Sequence, residues 1–183
     1  MNAYFTASVV GKKHLLPKYH AILSILKKRG VHAIADHILN VEEKDINLQT
    51  KEKRLHFHQQ LEDWIHGCDF MIAETSFPSI SVGYEISMAL DRNKPILILY
   101  SESDPQSLFA FHESEKIICE KYTMTTLETI INDFLQYVRG EADARFTFYL
   151  TSKQAMHLDK QGKKKHLPKS AYLRQLINED MKK

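Results

Sequence analysis

The stretch Asp69–Tyr100, DFMIAETSFPSISVGYEISMALDRNKPILILY, decides the fold. Phe70-Met71-Ile72-Ala73 is a short apolar run ending at the polar Glu74-Thr75-Ser76. A loop with Pro78, Ser79, Ser81 and Gly83 follows, and a short helix opens with Tyr84-Glu85. Pro95-Ile96-Leu97-Ile98-Leu99-Tyr100 then makes a second buried strand. Continuous apolar strands joined through a helix belong to a parallel sheet covered on both faces. Ligands of such sheets bind outside the carboxyl ends of the strands, where loops lead into helix N-termini. Glu85 is placed at such a point. In the first turn of a helix the dipole favours its ionised form near neutral pH. An ionised carboxylate can attack an electrophilic anomeric carbon and form a glycosyl ester.

Upstream, Ala3–Val10 reads as a first strand with its polar end at Ser8, and Gly11-Lys12-Lys13 as a turn. Leu16, Ile22, Leu23, Ile25 and Leu26 give Leu15–Lys28 a helical stripe, stopped at Arg29-Gly30. Val31–Ala35 is a second short strand closed by Asp36-His37. A polar loop becomes helical around Thr50 and runs to His66, with Leu55, Phe57, Leu61, Trp64 and Ile65 inward. Downstream come a short helix near Ser107–Glu113, a fifth strand at Lys116–Cys119, and a helix from Thr125 to Tyr137 capped by Thr125 or Thr126. Residues 1–138 are thus expected to form a flavodoxin-like or Rossmann-like α/β domain, a five-stranded parallel sheet with helices on both faces.

The chain has 183 residues and a net charge of +2. That figure conceals a division. Residues 145–183 hold ten Lys/Arg against three Asp/Glu, and residues 1–144 hold 15 against 20. Residues 139–144 read as a linker, and 145–183 as a basic appendage of strand, helix and helix. Arg145–Thr151 alternates as a half-exposed strand, Lys153–Gln161 is a helix broken by Gly162, and Lys163–Leu167 is a basic loop. Pro168 or Ser170 begins a last helix striped by Leu173, Leu176, Ile177 and Met181. No run of 18 apolar residues and no basic-then-apolar leader occurs, so no membrane span is expected and a cytoplasmic location is. Cys68 and Cys119 are isolated, which suits free thiols in a reducing compartment. His32, His37, His56 and His58 make no metal set, and neither GxGxxG nor GxxxxGK[ST] is present. No metal and no cofactor are expected.

Several segments together resemble the nucleoside 2-deoxyribosyltransferase superfamily, especially its deoxynucleoside 5'-monophosphate N-glycosidase branch. They are Tyr4-Phe5-x-Ala7-Ser8, Trp64 before Asp69, Ala73-Glu74-x-x-x-Pro78-Ser79-x-x-Val82-Gly83-Tyr84-Glu85, and Lys94-Pro95-Ile96-Leu97. The resemblance covers about residues 3–138. It implies that Glu85 is the nucleophile and that Tyr4 orients it. It also implies that Ser8 and Ser79 hold a 5'-phosphate beside Gly83, and that Ser107 reaches a neighbouring subunit's site in a homodimer or higher oligomer. Two positions depart from the pattern. The family's leaving-group aspartate is Leu61 here, with His58, one turn earlier, as the candidate general acid. The family's phosphate-binding arginine is replaced by Lys12 or Lys13.

The tail resembles the ribbon-helix-helix DNA-binding module. That likeness implies base contacts from Arg145, Thr147 and Tyr149, or from the opposite face of the strand, and phosphate contacts at Lys169 and Ser170. The leading reading is an enzyme that cleaves or transfers the N-glycosidic bond of a deoxynucleoside or deoxynucleotide. A DNA-binding regulator with a nucleotide-sensing domain, and a silent oligomerisation scaffold, are the other two.

Overall fold

The computed structural model describes residues 1–42, 44, 50–101, 114–140, 150–165 and 169–180. The chain divides into two compact units, Met1–Asp143 and Ala144–Lys183.

The first unit holds strands β1 (Asn2–Ala7), β2 (His32–Ile34), β3 (Phe70–Glu74), β4 (Ile96–Tyr100) and β5 (Ile117–Lys121). Its helices are α1 (Lys12–Lys28), α2 (Asp36–Leu39), α3 (Lys51–Gly67), α4 (Ile80–Asp91) and α5 (Leu127–Arg139). All strand pairs are parallel, in the order β2-β1-β3-β4-β5. The sheet therefore grows in opposite directions from the β1/β3 pair, and the crevice of a doubly wound sheet opens at that reversal. Among the described residues no helix is long and apolar enough to cross a membrane.

The pleat separates two cores. Ala3, Phe5, Phe70, Ile72, Leu97 and Leu99 pack with Tyr19, Ile22 and Leu26 of α1 and with Ile131 and Phe134 of α5. Tyr4, Met71, Ala73, Ile96 and Ile98 pack on the other side with Leu61 and Ile65 of α3 and with Val82, Ile86 and Ala89 of α4. Successive strand residues point to opposite faces, so Tyr4 and Thr6 of β1 look toward α3 and α4. Glu74 of β3, in phase with Phe70 and Ile72, looks toward α1.

Three expectations need correction in this unit. The helix bearing Glu85 opens at Ile80, not at Tyr84, because Ser79 caps it: its hydroxyl accepts the Val82 N–H at 3.4 Å. Glu85 is therefore in the second turn, outside the reach of the terminal dipole. Leu55 of α3 points outward, 59% exposed, since only Leu61 and Ile65 lie on the buried stripe. Neither Thr125 nor Thr126 caps α5 through its side chain. Thr123 and Thr126 instead trade hydrogen bonds across the turn before it. The short helix expected at Ser107–Glu113 lies outside the described residues.

The second unit contains α6 (Ser152–Lys165) and α7 (Lys169–Asp180), which pack against each other. Of the expected strand Arg145–Thr151, residues 145–149 are not among those described, and Leu150 and Thr151 form no strand. Thr151 instead makes a capping box for α6. Its hydroxyl accepts the Gln154 N–H at 3.3 Å, and the Gln154 side chain accepts the Thr151 N–H at 2.9 Å. Gly162 does not break α6. It is buried on the packed face with Leu158, and a helical glycine costs only about 1 kcal/mol. The helix consequently takes in Lys163–Lys165 of the expected basic loop.

Candidate active site

Glu85 sits beside the β1/β3 ends, 6% exposed. Its Oε2 accepts the Tyr4 hydroxyl at 3.1 Å. Burial raises the Glu85 pKa to about 7, and hydrogen bonding by Thr6 and Tyr4 pulls the other way. The Thr6 contact is the looser: Oγ1 finds no partner of full hydrogen-bond geometry among the described residues. Tyr4 is wholly buried. Burial, then the Glu85 charge, raises its pKa, so the phenol keeps its proton.

His37 completes the arrangement. It lies in the one-turn helix α2, beyond the carboxyl end of β2, and Nε2 is 2.8 Å from the Tyr4 hydroxyl. Burial lowers its pKa to about 4, against a smaller opposing pull from Asp36, so the ring is neutral. Tyr4 has one proton to give. When Glu85 is ionised that proton goes to Oε2, and His37 must then carry its own proton on Nε2 and donate it to the phenol oxygen. Nδ1 is left as a buried acceptor with no partner among the described residues. Ionised Glu85 thus orders the donors from His37 through Tyr4 to the carboxylate.

Aromatic rings close one side. His37 stacks on Tyr4 at 5.0 Å and lies 5.2 Å from Trp64, which meets Phe57 edge-on at 6.2 Å. Trp64 and Phe57 are half-buried and come from α3. This wall offers a stacking surface next to a carboxyl group.

The other expected site residues are placed as follows. Ser8 is buried, and its Oγ accepts the Gly11 N–H at 3.1 Å, which leaves the hydroxyl proton for another acceptor. Ser79 caps α4 and is half-buried. Gly83 is the fourth residue of that helix, and its N–H closes the first turn onto the Ser79 carbonyl. Lys12 is occupied elsewhere. Its ammonium donates to the carbonyls of Ile38, Leu39 and Val41 at 3.2, 2.9 and 2.6 Å, closing the C-terminal end of α2. It thereby holds His37's helix in place instead of supplying a free charge. His58 is not brought to Glu85. Its Nε2 is 2.8 Å from the Tyr84 hydroxyl and its Nδ1 is 3.8 Å from Glu62, on the outer side of α3 and α4. Tyr84 and Glu85 are neighbours on a helix and so point about 100° apart. Leu61 is buried in the core between α3 and α4. Ser107, Arg145, Thr147 and Tyr149 lie outside the described residues, as do the side chains of Lys169 and Ser170, whose backbone opens α7. Among the described residues no group of His, Cys, Asp and Glu could hold a metal ion.

The loop between β3 and α4 is held from both sides. On the sheet face opposite Glu85, the fully buried Glu74 accepts hydrogen bonds from Ser76 and, at 3.1 Å, from Tyr122. Burial raises its pKa, with Ser76 and Tyr122 opposing. On the β1 side Phe77 presses on Gly11, where an added Cβ would lie 2.6 Å from the Phe77 Cβ. Gly11→Ala is therefore expected to push the β1–α1 and β3–α4 loops apart and cost about 1–3 kcal/mol, the usual penalty of overpacking. A thermal melt unchanged from wild type would contradict that contact.

The model of the family "Nucleoside 2-deoxyribosyltransferase" matches residues 3–167. A 5-hydroxymethyl-dUMP N-hydrolase from Tetraodon nigroviridis is 25% identical over 138 residues, 73% of this chain and 96% of that one. A putative 2'-deoxynucleoside 5'-phosphate N-hydrolase 1 from Syntrophotalea carbinolica is 32% identical over 138 residues, 74% of this chain and 94% of its own length. The solved CMP N-glycosidase of Clostridium botulinum shares the fold, with a TM-score of 0.53 at 16% identity over 72% of this chain and 98% of that one. The match spans the sheet, the Tyr4–Glu85 pair and the loops around them, and the chain belongs to the nucleoside 2-deoxyribosyltransferase family.

Proposed function

We propose that this chain hydrolyses the N-glycosidic bond of a 2'-deoxynucleoside 5'-monophosphate through a covalent intermediate on Glu85. The observation that carries the reading is a buried carboxyl, oriented by Tyr4, beside an aromatic wall at the reversal point of the sheet. The relatives named as 2'-deoxynucleoside 5'-phosphate N-hydrolases support the substrate class. The Glu85 carboxylate attacks the anomeric carbon as the carbon–nitrogen bond breaks, and the base leaves with the bonding pair. With Leu61 where the family has an aspartate, the base takes its proton from water. A second water then cleaves the ester, releasing the sugar phosphate and restoring the carboxylate. The base stacks on Trp64, and the phosphate meets Ser8, Ser79 and the amides that open α4.

The test is direct. The protein is incubated with each deoxynucleoside 5'-monophosphate and with the matching deoxynucleoside, and free base is measured by chromatography. Release from at least one monophosphate is the expected result. No release from any of them, at enzyme concentrations comparable to substrate, overturns the reading.

A further inference from the structure

Helix α6, SKQAMHLDKQGKKK, has two opposed sides. Ala155, Leu158 and Gly162 are half-buried or buried. Lys153, His157, Lys160 and Lys164 are all exposed. At 100° per residue these four fall within an arc of about 60°, directly opposite the packed side, and span about 16 Å of helix. No acidic residue lies on that arc. The one acid of the helix, Asp159, is half-buried on its flank. Lys165 is excluded from the stripe because it covers the Tyr172 ring, 4.9 Å from its centroid.

We propose that this stripe binds the phosphate backbone of a nucleic-acid duplex. A straight row of three ammonium groups suits a regular polyanion, and 16 Å is the rise of about five base pairs at 3.4 Å each. Two other polyanionic surfaces fit less well. Single strands are gripped by platforms of several aromatic rings, and the exposed side of α6 carries no Phe, Tyr or Trp, only the His157 imidazole. An interfacial membrane helix must offer its apolar side to lipid, whereas the apolar side of α6 is packed and Met156 is the only large apolar side chain the helix exposes. The contacts go to phosphates alone, so binding is independent of sequence.

The experiment uses the full-length protein and a fluorescent 20-base-pair duplex in an anisotropy titration at several KCl concentrations. Neutralising three phosphates releases counterions from them, so log K should fall with log[KCl] with a slope of about −3. Dissociation constants should lie in the roughly 10⁻⁴–10⁻⁶ M range of non-specific binding near physiological salt. The triple variant Lys153→Gln/Lys160→Gln/Lys164→Gln should weaken binding by roughly tenfold or more and flatten the slope. The corresponding triple Arg variant should bind like wild type, and both should melt like wild type. Wild-type affinity in the Gln variant overturns the assignment. So does tighter binding to the single strand, or binding to phosphatidylserine vesicles with none to duplex. The result is independent of base release, so it stands or falls apart from the proposed activity.

Discussion

Glu85→Gln is expected to abolish base release and, above pH 7, to make the protein more stable. The first effect follows from the proposed mechanism. An amide cannot form the glycosyl ester, and removing an attacking group costs roughly 10⁴-fold or more in rate. The second follows from burial. An unfolded glutamate titrates near 4.5, and the folded Glu85 near 7. Below pH 4.5 the carboxyl is protonated in both states. As pH rises toward and through 7, the folded state must ionise a carboxyl that is 6% exposed, and the stability held by the protonated form is lost. At 1.36 kcal/mol per pH unit the full loss is about 3 kcal/mol. Glutamine never ionises and keeps that stability. Chemical denaturation at pH 4 and pH 8 should therefore show equal stabilities at the lower pH and a variant ahead by about that amount at the higher. A variant that releases base at the wild-type rate removes Glu85 from the chemistry. One that is less stable at pH 8 shows that the site does not strain its carboxylate.

The pH dependence of turnover should carry the same signature. Attack requires the carboxylate, so kcat/KM should rise about tenfold per pH unit below neutrality and level off above pH 7. Tyr4 gives this an internal check. Its hydrogen bond favours the charged form of Glu85, so Tyr4→Phe should move the inflection to higher pH besides lowering the plateau. His37 will not contribute an inflection in this range, because burial holds it neutral down to about pH 4. A profile flat from pH 5 to 8, or an inflection that Tyr4→Phe leaves in place, would contradict a buried nucleophile set by its tyrosine.

Apolar runs of four to six residues alternating with helical stripes are sufficient to read the parallel sheet, and the Pro78–Glu85 segment points to the family and to its Tyr4–Glu85 pair. The reading failed where side chains were assigned by position along the chain alone. Ser79 is legible from the sequence as a loop or cap serine, and the cap moves the start of α4 back to Ile80. Lys12 stands in the loop where the family has its phosphate-binding arginine, yet its ammonium closes a helix 26 residues away. His58 lay near the vacant acid position in sequence and ended on the solvent side of α3. His37 reads from the sequence as the end of the second strand, and its place beyond β2, beside β1, is the signal that brings it to the site.

Residue order alone carried the strands of the sheet, the long helices of the first unit and the carboxyl at the switch point, because strand and helix periods are local properties of the chain; it did not carry α2, the start of α4 or the course of α6 through Gly162. The charge state of Glu85, its hydrogen bonding through Tyr4 to His37, and the reassignment of Lys12 and His58 came only from the tertiary structure. Those depend on which surfaces are removed from water when α2, α3 and α4 close over β1. Burial of that kind, and not the dipole of α4, governs Glu85.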